Sequence, residues 1–210
     1  RSQCRNCSNT IHFFHNIPII SYLILAGKCA YCQKTISMQY PLVEILATLL
    51  TVFCGLYYGL IEELIAILLF TWFLIVISFV DINHKIIPDS LSQPLLWAGL
   101  LFTIIFSNYN APIILVNTQS SILGAVSGYL ILWIIYHIHF VITKKEGLGY
   151  GDFKLLAAIG AWTGWQLIPM VLFFASILGL IFGLISIKFG QSNKDTLIPF
   201  GPFLAIAGWI

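Results

Sequence analysis

Long apolar runs, separated by short polar segments, make up this chain from residue 40 onward. A helix needs about 20 apolar residues to cross a bilayer. Runs near that length predict spans at Tyr40–Leu60, Leu64–Val80, Leu91–Phe106, Ser121–Ile142 and Trp165–Ile187, and a further run begins at Ile198. Between Asp152 and Gly164 we expect a shorter helix of only ~20 Å, which packs inside the bundle and still carries the chain across. The pattern predicts an all-α polytopic membrane protein built as a helical bundle.

Composition excludes a soluble domain. The 210 residues are 59% hydrophobic and only 9% charged, whereas soluble proteins carry about 25% charged residues. No basic patch with interleaved aromatic residues suggests a nucleic-acid partner. The chain starts at Arg1 without a Met and stops at Ile210 within an apolar run, so we expect both termini to be truncated.

The distribution of positive charge predicts the orientation in the membrane. If residues 1–39 are cytosolic, the predicted spans return all ten Lys and Arg residues to that side. The opposite loops, around Glu62–Glu63, Ser107–Ser120 and Gly164–Trp165, contain none. Cytoplasmic loops are enriched in Lys and Arg. This orientation also places Asp81 and Asp152 near the same membrane face.

Residues 1–39 are more polar than the rest and carry two Cys-x-x-Cys motifs, Cys4/Cys7 and Cys29/Cys32. Paired motifs of this kind are typical of a four-cysteine zinc site. Disulfides or free thiols are the alternative, but cytosolic thiols stay reduced, which favours metal. Four thiolates leave no open position, so the zinc is expected to be structural. We therefore predict a cytosolic zinc-binding module at 1–39 and a transmembrane domain at 40–210.

Two acidic residues at the ends of apolar segments are the candidate chemistry. Asp81 follows an apolar run and should lie in or just past the last turn of its helix. Asp152 follows the glycine-rich stretch 147–151, which permits close approach by another segment, and opens a helix. Each alone is better explained as a helix cap or a solvated boundary residue. Together they predict a paired-acid site, in which one carboxylate activates water and the other donates a proton.

Two further acids leave alternatives open. Asp89 could replace Asp81 in the pair, but its position after Pro88 favours a turn or cap role. Glu44 lies within the first span and must find a partner inside the bundle, and structural and functional roles are both open. Two pairs of small residues, Gly124-x-x-x-Gly128 and Gly179-x-x-x-Gly183, predict close helix packing.

These motifs together resemble a known family, the bacterial prepilin peptidases. They are leader peptidase/N-methyltransferases of type IV pilus and type II secretion systems and belong to the Gly-x-Gly-Asp membrane aspartic proteases. The resemblance rests on both Cys-x-x-Cys motifs and on the segments 40–44, 81–89, 147–156 and 198–203.

The resemblance implies that Asp81 and Asp152 are catalytic and that Cys4, Cys7, Cys29 and Cys32 bind Zn²⁺. It implies an enzyme of the bacterial inner membrane with its active site facing the cytosol. That enzyme would cleave the leaders of type IV prepilins and pseudopilins and methylate the new N-terminus from S-adenosylmethionine. The family normally has another apolar helix before the first Cys-x-x-Cys, which this sequence lacks.

Two other classes compete with this interpretation. A transporter or channel would use the acids to carry protons or cations, and predicts acids near the bilayer midplane. A non-enzymatic assembly scaffold with a zinc module predicts that both aspartates can be replaced by asparagine without effect.

Overall fold

The computed structural model describes residues 3–4, 6–59, 64–106, 116–144, 147–189 and 199–210. These residues contain no β-strand. A 3-10 turn at Phe13–Asn16 is followed by α1 (Ile20–Ile24), α2 (Gln39–Tyr58), α3 (Leu64–His84), α4 (Asp89–Phe106), α5 (Thr118–Thr143), α6 (Tyr150–Thr163), α7 (Ile168–Lys188) and α8 (Gly201–Trp209). The charge count includes positions outside this described part: Arg1, Arg5, Glu62–Glu63, Lys145, Lys194 and most of Ser107–Ser120. The predicted start of the last run at Ile198 also lies outside it.

The predicted all-α membrane architecture is confirmed. In the described residues, α2, α3, α4, α5 and α7 are long and apolar enough to cross a membrane. Their bounds fall within a few residues of those predicted from the apolar runs. The chain divides into two compact units, Arg1–Leu60 and Ile61–Ile210. The functional division after residue 39 stays a prediction, because α2 groups with the cysteine-rich segment in the first unit.

The short helix α6 is the centre of the second unit. It packs against α4, α5, α7 and α8, and every residue from Leu155 to Trp162 is buried. Small residues on α6 let the neighbouring helices approach, and Gly160 lies so close to Gly124 of α5 that neither has space for a Cβ. The expectation that this short helix packs inside the bundle is therefore correct.

Polar side chains fix the position of α6 among its neighbours. The indole N–H of Trp162 donates to the carbonyl oxygen of Leu95 in α4 at 2.8 Å. The hydroxyl of Ser121 in α5 donates to the carbonyl oxygen of Ala161 at 2.6 Å. Buried polar groups are costly unless hydrogen-bonded, so these bonds favour one register of α6 over others.

Close packing is confirmed for only one of the two predicted glycine pairs. A Cβ on Gly128 would lie 2.7 Å from the carbonyl oxygen of Leu156, which makes α5 and α6 a backbone-to-backbone contact. On α7, a Cβ on Gly179 would lie 3.5 Å from the ring of Phe203, which is ordinary contact. Gly179 therefore lies against aromatic side chains at ordinary contact distance, so close helix approach is not confirmed at this position.

Candidate active site and metal centre

Asp81 lies in the last turn of α3 and is only 4% exposed. Lys85 ends the helix with a left-handed backbone (φ 55°) and donates its N–H to the carbonyl oxygen of Asp81 at 2.7 Å. The side-chain Oδ2 of Asp81 accepts a hydrogen bond from the N–H of Gly201 at 2.9 Å. Gly201 is the first residue of α8, and the free N–H groups and dipole of a helix N-terminus favour a negative charge. The start of α8 thus offsets the unfavourable position of a carboxylate at the end of α3.

Asp152 lies in the first turn of α6 and is 7% exposed. Its Oδ2 accepts a hydrogen bond from the N–H of Gly149, the cap residue, at 3.3 Å. The backbone N–H of Asp152 donates in turn to the carbonyl oxygen of Gly149 at 3.1 Å. Asp152 therefore does cap its helix, but capping uses one carboxylate oxygen and leaves the other for a different partner.

One side chain, Ile87, touches the segments that carry both acids. A Cβ on Gly151, which precedes Asp152, would lie 2.7 Å from Cβ of Ile87. A Cβ on Gly201, which binds Asp81, would lie 3.0 Å from Cδ1 of Ile87. The two carboxyl groups are near enough for direct electrostatic interaction. The predicted close approach at the glycine-rich stretch is confirmed at Gly151, and the structure brings the two acids together.

Two buried carboxyl groups in one place have a specific chemical capability. Because neighbouring carboxylates repel each other, such a pair retains one proton between them. One member can accept a proton from water while the other donates a proton to a carbonyl oxygen. Each acid sits at a helix end with part of its oxygen set already hydrogen-bonded, so both are held in position before any substrate arrives.

Asp89 and Lys154 pair with each other. The ammonium group of Lys154 lies 2.6 Å from Oδ1 of Asp89, with the side chains 29% and 63% exposed. Asp89 opens α4, in agreement with the turn or cap role favoured from the sequence. The ion pair ties the start of α4 to Lys154 in α6, two residues after Asp152.

The four predicted zinc ligands converge. The sulfur atoms of Cys4, Cys7, Cys29 and Cys32 all lie within 4.8 Å of one another. Those of Cys4 and Cys32 are 3.9 Å apart. A zinc ion bound by four sulfurs at ~2.3 Å requires separations of about 3.8 Å between them. The cluster therefore fits a tetrahedral metal ion.

The two Cys-x-x-Cys turns have the same backbone structure. Ser8 donates its N–H to the carbonyl oxygen of Cys4 at 2.9 Å, and Gln33 donates to that of Cys29 at 3.0 Å. Ser8 and Gln33 both have left-handed backbones, with φ of 56° and 57°. Each turn thereby presents two thiols on one side, which is what a tetrahedral site assembled from two halves needs.

The thiols of this cluster differ in acidity. The backbone N–H of Cys7 is the main cause that lowers the pKa of Cys4 to about 6, and that of Lys34 lowers the pKa of Cys32. The N–H of Asn9 acts to lower the pKa of Cys7, but desolvation and the neighbouring thiols outweigh it and raise it to about 11. Full ionisation of the cluster is thus favoured only when a cation offsets the repulsion between the thiolates.

Glu44 finds its partner outside the helical bundle, contrary to the expectation from its place in a span. Its Oε2 accepts a hydrogen bond from the N–H of Ile19 at 2.8 Å. Ile19 immediately precedes α1 and has a left-handed backbone (φ 62°) that a β-branched residue rarely adopts. Glu44 therefore stabilises a strained turn of the first unit.

Gly201 and Ile87 are the site residues that sequence reasoning did not single out. A glycine between two prolines, Pro199 and Pro202, does indicate a helix N-terminus, because proline is favoured in the first turn. Nothing in the sequence indicates that this N-terminus faces Asp81, which lies 120 positions earlier. The role of Ile87 depends on three-dimensional packing alone.

Comparison with known proteins gives consistent matches over the whole chain. The profile of the type IV leader peptidase family matches residues 68–184, and that of the bacterial peptidase A24 N-terminal domain matches residues 1–58. A protein of Stutzerimonas stutzeri named prepilin leader peptidase/N-methyltransferase is 43% identical over 209 residues, covering 100% of this chain and 70% of its own length. Proteins of the same name from Aeromonas salmonicida and Pseudomonas aeruginosa are 46% and 43% identical, again with 100% and 70% coverage. No solved structure matches the chain.

Proposed function

This chain belongs to the type IV leader peptidase family, and from that premise we propose that Asp81 and Asp152 are its catalytic pair. Membership of the family makes the chain a prepilin peptidase with N-methyltransferase activity. The observation that supports the assignment of the pair is geometric. Two buried acids on separate helices lie near each other, and each is held by a backbone N–H at a helix start.

The proposed reaction is hydrolysis of a peptide bond without a covalent intermediate. The ionised member of the pair accepts a proton from a water molecule as the water oxygen attacks the scissile carbonyl carbon. The protonated member donates its proton to the carbonyl oxygen, and a tetrahedral centre forms. When the carbon–nitrogen bond breaks, the leaving amine takes the proton that the first carboxyl accepted from water. A hydroxyl of the tetrahedral centre returns its proton to the other carboxylate as the new carboxyl group forms, so the pair is again singly protonated.

We propose type IV prepilins and pseudopilins as substrates, cleaved at the cytosolic face of the bacterial inner membrane. The support comes from the charge distribution in the sequence, which puts all ten Lys and Arg residues on the side of the acids. A prepilin can keep its apolar helix in the bilayer beside the spans while its leader reaches this side. A basic leader is attracted both to the acids and to the anionic leaflet.

A transporter is not favoured by the geometry. Acids that carry ions across a membrane are expected near the middle of spanning helices. Asp81 lies in the last turn of α3 and Asp152 in the first turn of α6, so both lie at helix ends.

We propose that the four-cysteine cluster holds a structural Zn²⁺ and that the methyl donor is S-adenosylmethionine. The segment is too short to form a stable hydrophobic core, and a bound zinc ion would stabilise its fold. Four thiolates fill the coordination sphere, which is typical of a structural zinc ion. S-adenosylmethionine supplies an activated methyl group when bound.

The catalytic pair is tested by cleavage of a purified prepilin with the full-length enzyme. Asp81→Asn and Asp152→Asn should each lower the rate at least about 100-fold, because loss of general acid–base catalysis costs 10²–10⁴-fold. Asp89→Asn is the matched control. Its exposed ion pair is worth at most about 1 kcal/mol, so its rate should stay within about tenfold of wild type. Wild-type rates in both Asp81→Asn and Asp152→Asn would refute the aspartyl mechanism. A deep loss in Asp89→Asn together with a wild-type rate in Asp81→Asn would replace Asp81 by Asp89 in the pair.

A further inference from the structure

The first unit contains a cavity of about 550 Å³, lined by residues of the segment 3–44. Its wall includes Cys4 and Cys29 of the metal cluster and Glu44 of α2. Small-molecule sites have volumes of about 300–1,000 Å³ and a few well-placed polar groups among apolar ones. The cavity has the size of such a site and makes no use of Asp81 or Asp152.

Two polar groups in its wall have hydrogen-bonding capacity to spare. Glu44 commits its Oε2 to the N–H of Ile19, whereas a carboxylate has about four acceptor positions on two oxygens. His15 also lines the cavity, and its Nδ1 is buried without a hydrogen-bond partner in the described part of the chain. Buried polar atoms in native proteins are rarely left unsatisfied, so this nitrogen needs a partner that the described residues do not supply.

The rest of the lining suits a ligand that is partly aromatic and carries both signs of charge. Tyr22, Tyr31 and Tyr40 line the cavity, and tyrosine rings stack on flat heterocycles and attract cations. Lys34 is also in the wall and donates to Oδ1 of Asn6 at 2.7 Å. An ammonium group has three donors, so Lys34 keeps the capacity to bind a carboxylate.

We propose that this cavity is the S-adenosylmethionine site, with Glu44 facing the positive charge of the ligand and His15 hydrogen-bonded to it. The proposal rests on the methylation activity and methyl donor proposed above and gives them a location. The ligand has a flat adenine, a sulfonium cation and an amino-acid end with a carboxylate, which match the tyrosines, Glu44 and Lys34 in turn.

The transfer balances with groups already present. The uncharged N-terminal amine of the cleaved substrate attacks the methyl carbon, and a nitrogen–carbon bond forms. The sulfur–carbon bond breaks, its electron pair stays on sulfur, and S-adenosylhomocysteine is left. The nitrogen then releases one proton, which water accepts. The negative charge of Glu44 also favours a cationic ligand before the transfer over the neutral sulfide after it.

Equilibrium binding of radiolabelled S-adenosylmethionine to the full-length protein in lipid nanodiscs tests this site. Glu44→Gln keeps an oxygen to accept the N–H of Ile19 but removes the charge, so the turn before α1 should survive while the dissociation constant rises at least tenfold. His15→Ala should weaken binding severalfold or more. His12→Ala is the matched control, since His12 is exposed and does not line the cavity, and it should bind as wild type.

Zinc content, measured on the same preparations, reports whether each variant keeps the fold of the first unit. If His15→Ala loses zinc, the conservative Glu44→Gln variant decides the matter. Wild-type affinity in Glu44→Gln would overturn the proposal, as would an equal loss in His12→Ala. The catalytic pair is judged separately by prepilin cleavage in Asp81→Asn, so failure of one proposal is distinguishable from failure of the other.

Discussion

At the scale of single residues, Gly201 determines where the side chain of Asp81 can lie. Its N–H holds Asp81, and a Cβ at this position would lie 2.7 Å from Oδ2 of Asp81 and 3.0 Å from Cδ1 of Ile87. Contacts at that distance require something to move. The two neighbours are the carboxylate of Asp81 and the side chain of Ile87, which also contacts the segment before Asp152. Movement of either side chain would therefore displace a catalytic acid.

We therefore expect Gly201→Ala to lower the rate of prepilin cleavage by about 100-fold, because misplacement of a catalytic group by 1 Å can cost that much. Steady-state cleavage by the purified enzyme measures it. Gly179→Ala in α7 is the control, since its Cβ would meet nothing closer than 3.5 Å, and it should cleave at the wild-type rate. A Gly201→Ala enzyme with unimpaired cleavage would show that α8 does not position Asp81.

The sequence could predict those functional residues whose side chains are energetically unfavourable or unusual at their positions in the chain. A carboxylate beside an apolar run identified Asp81 and Asp152 as candidates, and four cysteines in two short motifs identified the metal cluster. Gly201 and Ile87 are ordinary residues whose importance comes from what they touch. Glu44 was a candidate because a carboxylate within a membrane span is unfavourable without a partner. The sequence predicted a partner in the bundle, but the partner is the backbone N–H of Ile19, just before α1.

At the scale of elements, α6 determines how the second unit is assembled. It is short for a spanning helix, and it packs against α8 and against the longer helices α4, α5 and α7. Its contact with α5 is made by backbone, since Gly124 and Gly160 oppose each other directly. Asp152 opens this helix, so the position of one acid depends on how α5 and α6 pack.

Gly124→Val should destabilise the protein by about 1–3 kcal/mol or more, as expected for overpacking against backbone that cannot move aside. Thermal unfolding in detergent, compared with wild type, measures the loss. Gly179→Val serves as the matched control on a helix where the neighbours are the flexible rings of Phe203 and Phe200, and a much smaller shift is expected there. Equal shifts in the two variants would contradict the claim that α5 and α6 meet through their backbones.

Element positions could be predicted well because membrane spans are set by the length of apolar runs. Their ends were less predictable. The apolar run before Asp81 ends at Val80, but α3 continues to His84 and stops only where Lys85 adopts a left-handed backbone. The helix end therefore depends on local backbone geometry that hydrophobicity does not report. The glycine pairs show the same limit, since equal spacing gave a close contact on α5 and an ordinary one on α7.

The cysteine cluster allows a test at the same scale. One zinc ion per chain is expected under reducing conditions, and Cys29→Ser should lose it because three thiolates bind the metal less tightly than four. Cys54→Ala is the control, as Cys54 is buried in α2 and does not belong to the cluster, and it should keep its zinc. Elemental analysis of purified protein measures the content, and full zinc occupancy in Cys29→Ser would exclude the four-thiolate site.

At the scale of the whole molecule, orientation in the membrane decides whether the acids can meet a cytosolic leader. The sequence puts every Lys and Arg on one side of the predicted spans, and moving such charges across a bilayer is strongly disfavoured. In intact cells, a membrane-impermeant thiol reagent should therefore label Trp165→Cys, on the loop before α7, and leave Lys85→Cys unlabelled until the membrane is opened. The parent chain, whose native thiols are expected on the inside or within a span, should stay unlabelled in intact cells. Labelling of Lys85→Cys but not Trp165→Cys in intact cells would place the acid pair on the outer face and remove the proposed access to prepilin leaders.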